Sequence, residues 1–417
     1  MIPLEEAQQF VCANLTPLPL VELSLADALG CVAAEELKAM ERVPGFSNSA
    51  MDGYALRAAD TSTGLARLRV IGSVMAGDVP ALRVEAGDAM RIMTGAPLPD
   101  GADCICKIEE VTVASDGQNV LINRAVRIGE HVRYPGEDIA IGQVLSTPGN
   151  ELGPTELGVL ASQGFTSVLV HPRPRVGVLS TGNELVGSPG PLQNGRIRDV
   201  NRPVLLALLR QSGFTPVDLG IARDDQVDIA EQFQEAVLEC DAVISSGGVS
   251  VGDVDHVKTV IGDLCGERAR WMQVAIKPGK PFTFGIAGPR GTPVFGLAGN
   301  PVSTRVGFEL FVRPALRLLA GHQSLERLTL NMMLDCPLPR QRDGKLHLMH
   351  VAARFHDDGR MHVVSATRQG SHLFSTTSGA NAIVMVPDGD GLDTGEVVRG
   401  MVLDADQSGI TTEWSPS

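Results

Sequence analysis

Short apolar runs alternate with segments of helical periodicity across residues 172–325, and no other feature constrains the fold of the chain as strongly. The predicted strands are RVGVLS, TPVDLG, AVISSG, QVAIKP and TPVFGL. The predicted helices lie near residues 201–212, 226–239, 254–264 and 302–320. Because strand and helix follow each other in this order, the segment is predicted to form a doubly wound α/β domain with a parallel sheet.

The rest of the chain divides into β-rich and helical parts, as expected for 417 residues, which exceed one ordinary hydrophobic core. Residues 42–145 contain short strand-like runs between glycine, proline and aspartate turns, which predict a β-rich inserted domain. Residues 326–408 have the same character and predict a C-terminal β domain, which leaves residues 409–417 as a tail.

The N-terminal segment has mostly helical spacing and is interrupted by the insert. Residues 1–41 predict two helices, with Ser24 as the cap of the second. The run ELGPTELGVLASQG restores a helical pattern after the insert. Residues 1–41 and 146–171 are therefore predicted to form one discontinuous helical domain.

Composition excludes several classes of function. The formal net charge is −14 and aromatic residues make up 4% of the chain, which argues against binding to nucleic acid. No run approaches the roughly 18 apolar residues of a membrane helix, and the opening MIPLEEAQQF lacks a signal's basic residues. A cytoplasmic protein without membrane contact is expected. Cys104 and Cys106 are interpreted as core residues rather than metal ligands, because no histidine lies nearby in sequence.

The loop SSGGVSVGD follows the third predicted strand and predicts a phosphate site. Gly247 and Gly248 allow backbone N–H groups to approach a ligand, and the helix that follows presents its positive end to an anion. The alternative interpretation of two adjacent glycines is a tight turn that needs positive φ.

Two further segments strengthen the anion interpretation. In KPGKP, a proline–glycine turn directs Lys277 and Lys280 away from the strand, and two ammonium groups suit an oxyanion. In GNPVS, Asn300 and Ser303 enter a helix whose N-terminus can also bind an anion. Ligands of open α/β sheets lie at the carboxyl ends of the strands, where all three segments are expected.

Carboxylates also follow these strands. Glu184 follows the first strand, Asp224 and Asp225 follow the second, and Asp253 and Asp255 follow the third. Oxygen ligands that converge from several strands suit a hard cation such as Mg²⁺. For Asp224 and Asp253 the alternative role is a helix cap.

The inserted domain carries two polar turns. FSNSAMDGYALR places Asp52 and Tyr54 in one turn, and RIMTGAPLPDGAD places Thr94 in another. Taken alone, each turn has the composition of a hairpin loop.

Seven motifs in order along the chain point to one family. The motifs are SAMDGYA (49–55), RIMTGAPLP (91–99), RYPGEDI (133–139), STGNEL (180–185), SSGGVSVGD (245–253), KPGKP (277–281) and GNPVS (299–303). Their order, their spacing and the total length resemble the molybdopterin molybdenumtransferase family. The resemblance implies four domains in an elongated homodimer, an α/β domain like that of molybdopterin adenylyltransferase, and a small C-terminal β-barrel.

The resemblance also implies a reaction and a set of site residues. The reaction is insertion of molybdenum from molybdate into the dithiolene of adenylylated molybdopterin, with release of AMP and dependence on Mg²⁺; molybdopterin adenylyltransferase would be the upstream partner. The implied catalytic residues are Asp52, Glu184, Asp224 and Asp255, of which the last three would also hold the metal. The implied substrate-binding residues are Thr94, Arg133, Gly247, Gly248, Ser250, Lys277, Lys280, Asn300, Ser303 and Ser375.

The implied roles divide between two walls of one cleft. Lys277, Lys280 and Ser303 would hold molybdate beside the dithiolene sulfurs. Asp52 and Thr94 would close over the cleft between the subunits of the family's dimer.

The chain departs from the family pattern at several positions. The family usually has proline at Ala298 and tyrosine at Arg198 and His256. A molybdate-contacting arginine of the family aligns with His350, near Arg354, which would make oxyanion binding depend on pH. The alternative is that His350 is an ordinary strand residue. The serines Ser371 and Ser375 are the other C-terminal candidates.

Two other functions are compatible with parts of the chain. One is a non-catalytic dimeric scaffold built on the same four domains, although a scaffold does not need the carboxylates at the strand ends. The other is a nucleotide-dependent pterin adenylyltransferase or nucleotide hydrolase built on the α/β domain alone, which would need neither the insert nor the C-terminal barrel.

Overall fold

The structure is a computed structural model that describes residues 1–187, 189–247, 256–365 and 374–403. Asp253, Asp255, Gly248, Ser250 and Ser371 lie outside these residues. No helix in the described ranges is both long enough and apolar enough to cross a membrane.

The N-terminal region contains one of the two helices predicted there. Helix Leu4–Ala13 buries Leu4, Ala7 and Val11 against the α/β domain, as the spacing of its apolar residues predicts. The second predicted helix is wrong. The segment instead forms strands Val21–Ser24 and Val32–Ala33, which pair on either side of Ser167–His171.

Pairing with a distant strand therefore overrides the helical spacing of this segment. Ser24 caps a turn rather than a helix, since its hydroxyl lies 2.7 Å from a carboxylate oxygen of Asp27. Helix Pro154–Ser162 forms where ELGPTELGVLASQG predicts it. The shared sheet joins residues from both sides of the insert.

The inserted region forms a six-stranded sheet with a buried core. In spatial order its strands are Cys104–Lys107, Gly53–Leu56, Asp88–Ile92, Ala66–Val74, Asn119–Ile122 and Val111–Val113. Cys104 and Cys106 are fully buried in this sheet, as expected of core residues. The short strand Gly53–Leu56 pairs with a strand on each side, so Asp52 stands directly before a fixed element.

The α/β region has a six-stranded sheet with helices on both faces. In spatial order its strands are Thr215–Ala222, Arg175–Thr181, Ala242–Ser246, Thr292–Leu297, Pro281–Ala287 and Arg270–Gln273. Helices Asn201–Gln211 and Arg313–Leu319 pack on one face, and helices Gln226–Glu239 and His256–Cys265 pack on the other. The predicted doubly wound domain is therefore confirmed.

The prediction of a wholly parallel sheet is wrong. Strand Pro281–Ala287 runs antiparallel to Thr292–Leu297, because only the short connection Gly288–Gly291 links them. The predicted strand QVAIKP is also split. Arg270–Gln273 joins this sheet, whereas Ile276–Lys277 pairs with the C-terminal domain.

The C-terminal region is a closed five-stranded barrel, which confirms the predicted β-barrel. Its strands are Thr329–Leu334, Leu346–Phe355, Met361–Ser365, Ala382–Val386 and Val397–Val402. The barrel closes because Leu346–Phe355 pairs with Met361–Ser365 on one side and with Ala382–Val386 on the other. Ile276–Lys277 of the α/β region adds to Leu346–Phe355 and joins the two domains edge to edge.

Candidate active site

A cavity of about 450 Å³ lies where the lysine turn of the α/β region meets the barrel. Lys277 and Lys280 line it from one side, as KPGKP predicts, and Ser303 lies in its wall. Gly279 has φ +96°, a conformation that favours glycine, so the turn between the two lysines depends on this residue. The barrel contributes basic side chains that the sequence did not indicate: Arg340, Lys345 and His347.

Asp343 organises the positive charges on the barrel side of this cavity. Its carboxylate lies 3.0 Å from Arg340, 3.1 Å from Lys345, 3.2 Å from His347 and 3.8 Å from the Lys277 ammonium. Burial raises the pKa of Asp343, but hydrogen bonds from His347 and Lys345 outweigh burial and hold the pKa at about 2. The aspartate is therefore ionised and holds these four basic side chains close together.

Lys280 is different, because it forms no ion pair with any carboxylate of the described residues. Ser303 and Val302 line the same cavity. Because no described carboxylate neutralises this ammonium group, it is available to bind an anionic ligand. Lys280 is thus the strongest anion-binding candidate of the cavity.

Three strand-end loops meet at one edge of the central sheet, at Thr181, Gly247 and Gly299. Gly247 has φ +100°, and a Cβ atom there would stand 2.7 Å from the carbonyl oxygen of Thr181. A Cβ on Gly299 would lie 3.6 Å from the Cα of Gly247, and the side-chain amide of Asn201 donates to the Gly299 carbonyl at 2.7 Å. Close backbone packing therefore requires glycine at position 247. This agrees with the alternative interpretation of the loop as a tight turn, and its phosphate role stays a prediction.

The carboxylates of two loops share this edge of the sheet. Glu184 and Asp224 are exposed, and the side-chain oxygen of Asn183 accepts a hydrogen bond from the Asp224 amide at 3.2 Å. Asp224 is not the helix cap. The neighbouring Asp225 accepts from the amides of Val227 and Asp228 and caps Gln226–Glu239.

Exposed carboxylates on two linked loops are oxygen donors of the kind that a hard cation requires. Glu184 and Asp224 therefore fit Mg²⁺ by donor type. Asp255, the third predicted ligand, lies outside the described residues.

Asn300 and Ser303 begin the helix that follows strand Thr292–Leu297. Asn300 is the N-cap residue by backbone geometry but makes no side-chain cap hydrogen bond. Ser303 is 5% exposed, and the next residue, Thr304, donates its hydroxyl to the Ala298 carbonyl at 2.6 Å. The structure therefore brings Ser303, but not Asn300, into the cavity with the lysines.

The three motifs of the inserted region come together at a separate place. Both the amide and the hydroxyl of Thr94 donate to one Asp52 carboxylate oxygen at 2.7 Å. These two bonds, the backbone bond first, lower the pKa of Asp52. Strand Val132–Arg133 pairs with Asn48–Ser49, so Arg133 belongs to the same cluster of turns. None of these residues lines the cavity between the α/β region and the barrel.

Three protein families match successive parts of the chain. The MoeA N-terminal region (domain I and II) matches residues 2–164, the probable molybdopterin binding domain matches residues 177–318, and the MoeA C-terminal region (domain IV) matches residues 338–403. The molybdopterin molybdenumtransferase of Haemophilus influenzae is 35% identical, over 95% of this chain and 98% of that protein.

The chain belongs to the molybdopterin molybdenumtransferase family.

Further relatives agree with this assignment. The molybdopterin molybdenumtransferase of Bacillus subtilis is 31% identical, over 99% of this chain and 96% of that protein. The crystal structure of the molybdopterin biosynthesis moeA protein from Pyrococcus horikoshii is 31% identical and covers 97% of this chain and 100% of that chain, with a TM-score of 0.78. The family and the fold inferred from the seven motifs are thereby confirmed.

His350 is the residue at which the resemblance predicts an oxyanion-binding arginine, and the structure shows its surroundings. It lies in strand Leu346–Phe355, is 2% exposed, and burial followed by the charge of Arg305 lowers its pKa to about 3. His350 is therefore neutral at pH 7 and does not replace the charge of an arginine. Arg354, its neighbour in sequence, is exposed.

Arg305 supplies a cation beside His350 that the sequence did not indicate. It lines a cavity of about 370 Å³ with Ser375, the other C-terminal candidate, and with Glu309. Its guanidinium donates to the Thr377 carbonyl at 3.5 Å, and burial lowers its pKa. Arg305 lies two residues after Ser303 on the same helix. Its short distance in sequence from the GNPVS motif is the one signal that could have pointed to Arg305 as a site residue.

The other departures from the family pattern have local roles. Arg198 donates to the Gly190 carbonyl, the Ala298 carbonyl accepts from Thr304, and His256 is the first residue of helix His256–Cys265. In the described part of the chain, three potential metal ligands that fit one ion occur at His356, Asp358 and His362. They lie on a barrel hairpin at the far end of strand Leu346–Phe355, and their nitrogen ligands are not a typical Mg²⁺ set.

Proposed function

We propose that this protein is a transferase of molybdenum cofactor biosynthesis that inserts molybdenum from molybdate into adenylylated molybdopterin and releases AMP. One observation carries the proposal: the pairing of Ile276–Lys277 with the barrel surrounds one cavity with Lys277, Lys280, Arg340 and Lys345. Two carboxylates, Asp343 and Asp388, pair with Lys277, Arg340 and Lys345, which leaves the four cations in excess. In a chain with a net charge of −14, this local positive charge is suited to anionic substrates.

Different residues would bind different anionic groups of the substrates. The cations and Ser303 would bind molybdate and the pterin phosphate, and would hold the oxyanion close to the dithiolene sulfurs. Positioning of this kind supplies much of the rate of a reaction between two bound partners. Lys280 is the first candidate for molybdate because no described carboxylate neutralises it.

The carboxylates would serve the phosphoanhydride. Glu184 and Asp224, with Asp255 as a third proposed ligand, would hold Mg²⁺. When bound, Mg²⁺ supplies charge neutralisation at the bond between the two phosphates. The hydrogen bond from the Asp224 amide to the side chain of Asn183 links the two loops that carry these carboxylates, which supports the proposal.

We further propose a homodimer and a partner. Asp52 and Thr94 do not line the cavity of their own chain, which is the arrangement expected if they reach the cleft of a second subunit. Molybdopterin adenylyltransferase is the proposed upstream partner, since it makes the adenylylated substrate. A cytoplasmic location stays a prediction.

The decisive experiment measures AMP release from adenylylated molybdopterin in the presence of Mg²⁺, with and without molybdate. Release that depends on molybdate supports the proposal. Binding of the substrate without release would instead indicate the scaffold, and consumption of ATP with the pterin would indicate an adenylyltransferase.

A further inference from the structure

A third cavity, of about 410 Å³, lies at the edge of the central sheet opposite the lysine turn. Arg173 and Pro174 line it directly before strand Arg175–Thr181, and Gly213 and Phe214 line it directly before strand Thr215–Ala222. Since parallel strands begin at one edge and end at the other, this cavity and the strand-end loops stand on opposite sides of the domain. It is therefore separate from the proposed active site.

The cavity is lined by arginines with few carboxylates. Arg313 and Arg317 reach it from helix Arg313–Leu319, and Arg327 reaches it from the segment that leads into the barrel. Glu309 neutralises Arg327 through two hydrogen bonds of 2.8 and 3.1 Å. Arg173, Arg313 and Arg317 have no carboxylate within 4.0 Å in the described part of the chain.

The contacts of these arginines are to neutral groups. Arg313 donates to the Leu325 carbonyl at 3.2 Å, and Arg317 donates to the Ser324 carbonyl at 2.8 Å. The Nε of Arg313 and the hydroxyl of Ser212, which also lines the cavity, are buried with no hydrogen-bond partner among the described residues. Both are donors, and a buried donor without an acceptor is costly.

The remaining titratable groups leave the positive charge in excess. Glu151 is the single carboxylate that lines the cavity within the described ranges; it lies 3.7 Å from His322, with its side chain 54% exposed. Burial, followed by the charges of Arg317 and Arg313, lowers the pKa of His322 to about 4, so this histidine is neutral at pH 7. Burial also lowers the pKa of Arg313 to about 10, which still leaves it charged.

We propose that this arginine cavity binds a phosphate group, either as inorganic phosphate or as the head of a small phosphomonoester. Guanidinium groups bind such tetrahedral dianions through paired hydrogen bonds, and an anion here would satisfy the unused donors and offset the mutual repulsion of the arginines. The lining residues come from the N-terminal region, the α/β region and the segment before the barrel. A bound anion would therefore join three parts of the chain and stabilise their arrangement.

The experiment is isothermal titration calorimetry of the full chain with inorganic phosphate and, separately, with AMP. Thermal unfolding is measured in the presence of each ligand. The test variants are Arg317→Gln and Arg313→Met, which remove charge and retain much of the side chain. Each should weaken binding by roughly tenfold or more, and ligand should raise the unfolding temperature of the unaltered chain more than that of either variant. Tighter binding of AMP than of phosphate, if it is lost in Arg317→Gln and kept in Lys280→Met, would identify a phosphomonoester as the ligand of this cavity.

Two matched variants keep the test specific. Arg342→Gln removes an exposed arginine paired with Asp390 on the barrel and should leave binding unchanged. Lys280→Met removes a cation of the cavity at the lysine turn and should also leave this phosphate site intact. If Arg313→Met does not fold, Arg173→Gln replaces it, since Arg173 is exposed.

The proposal is overturned if neither ligand binds saturably, if both arginine variants bind as the unaltered chain does, or if Lys280→Met abolishes the binding. It does not rest on the proposed reaction. Molybdate-dependent release of AMP therefore tests one proposal and phosphate binding in Arg317→Gln tests the other.

Discussion

Lys277 pairs with His347 in parallel register, across the boundary between the α/β domain and the barrel. This pairing carries the lysine turn out of the central sheet and places it opposite Arg340 and Lys345. The basic cavity exists because two domains meet at this pair. Its proposed role in oxyanion binding leads to the first of five predictions.

Replacement of Lys280 by methionine should raise the molybdate concentration needed for half-maximal AMP release by roughly ten- to a hundredfold, because a charged hydrogen-bond donor is lost. The maximal rate should change less. Steady-state kinetics at varied molybdate would show this difference, with Arg342→Gln as a matched control outside the cavity. An effect confined to pterin binding would reassign Lys280 to the other substrate.

Removal of either proposed metal ligand should abolish turnover without loss of the fold. Glu184→Gln and Asp224→Asn keep the size of exposed side chains but remove the charge that Mg²⁺ requires. The control is Asp225→Asn beside them, which alters a helix cap and should retain activity. Rates and thermal unfolding measured together would test this, and unchanged rates in Glu184→Gln and Asp224→Asn would place the metal elsewhere.

Replacement of Thr94 by valine should raise the pKa of Asp52. The hydroxyl of Thr94 donates one of the two hydrogen bonds that lower this pKa, and valine leaves the backbone bond in place. The stabilisation that these bonds provide is present at neutral pH and is lost as pH falls through the lowered pKa. A carboxyl titration followed by NMR would measure the change, and identical midpoints in both proteins would contradict it.

Alanine at Gly247 should destabilise the protein by at least about 1–2 kcal/mol, because the residue has positive φ and its Cβ would press on the Thr181 carbonyl. Gly262→Ala is the control, since Gly262 lies in helix His256–Cys265 with open space around it. That substitution should be neutral or stabilise by up to about 1 kcal/mol. Equal effects of the two substitutions on denaturant unfolding would contradict the packing at Gly247.

Buried His350 should make the protein less stable as pH falls below 6.5. Its pKa is about 3 in the folded chain against an ordinary value of 6.5, so the unfolded chain binds the proton more readily. The free energy of unfolding should fall by up to about 1.4 kcal/mol for each pH unit in this window. Denaturant unfolding at pH 7, 6 and 5 gives the free energy of unfolding as a function of pH. This free energy should depend less steeply on pH in His350→Gln, and as steeply as in the unaltered chain in the exposed control His356→Gln.

If the free energy of unfolding of His350→Gln depends on pH as steeply as that of the unaltered chain, other groups cause the loss of stability. His322 is such a group, since its pKa is also low, at about 4. A double variant of His322 and His350 would separate the two contributions.

Local patterns predicted the individual elements well where they matched the tertiary packing. The helix Gln226–Glu239 and the strand Arg175–Thr181 appear where periodicity places them. The second N-terminal helix failed because Val21–Ser24 pairs with Ser167–His171, far along the chain. No local pattern contains that partner.

The sequence by itself determined the order of domains, the family through its seven motifs, and the residues at the strand ends, because turn and cap chemistry is local. Only the tertiary structure decided which cations share a cavity. Lys277 meets Arg340 and Lys345 through an edge-to-edge pairing of two domains. Burial lowers the pKa of both Arg305 and His350, but an arginine starts from a far higher pKa, so Arg305 stays charged at pH 7 and His350 is neutral. Register and burial depend on residues distant in sequence, so they arise only when the chain is folded.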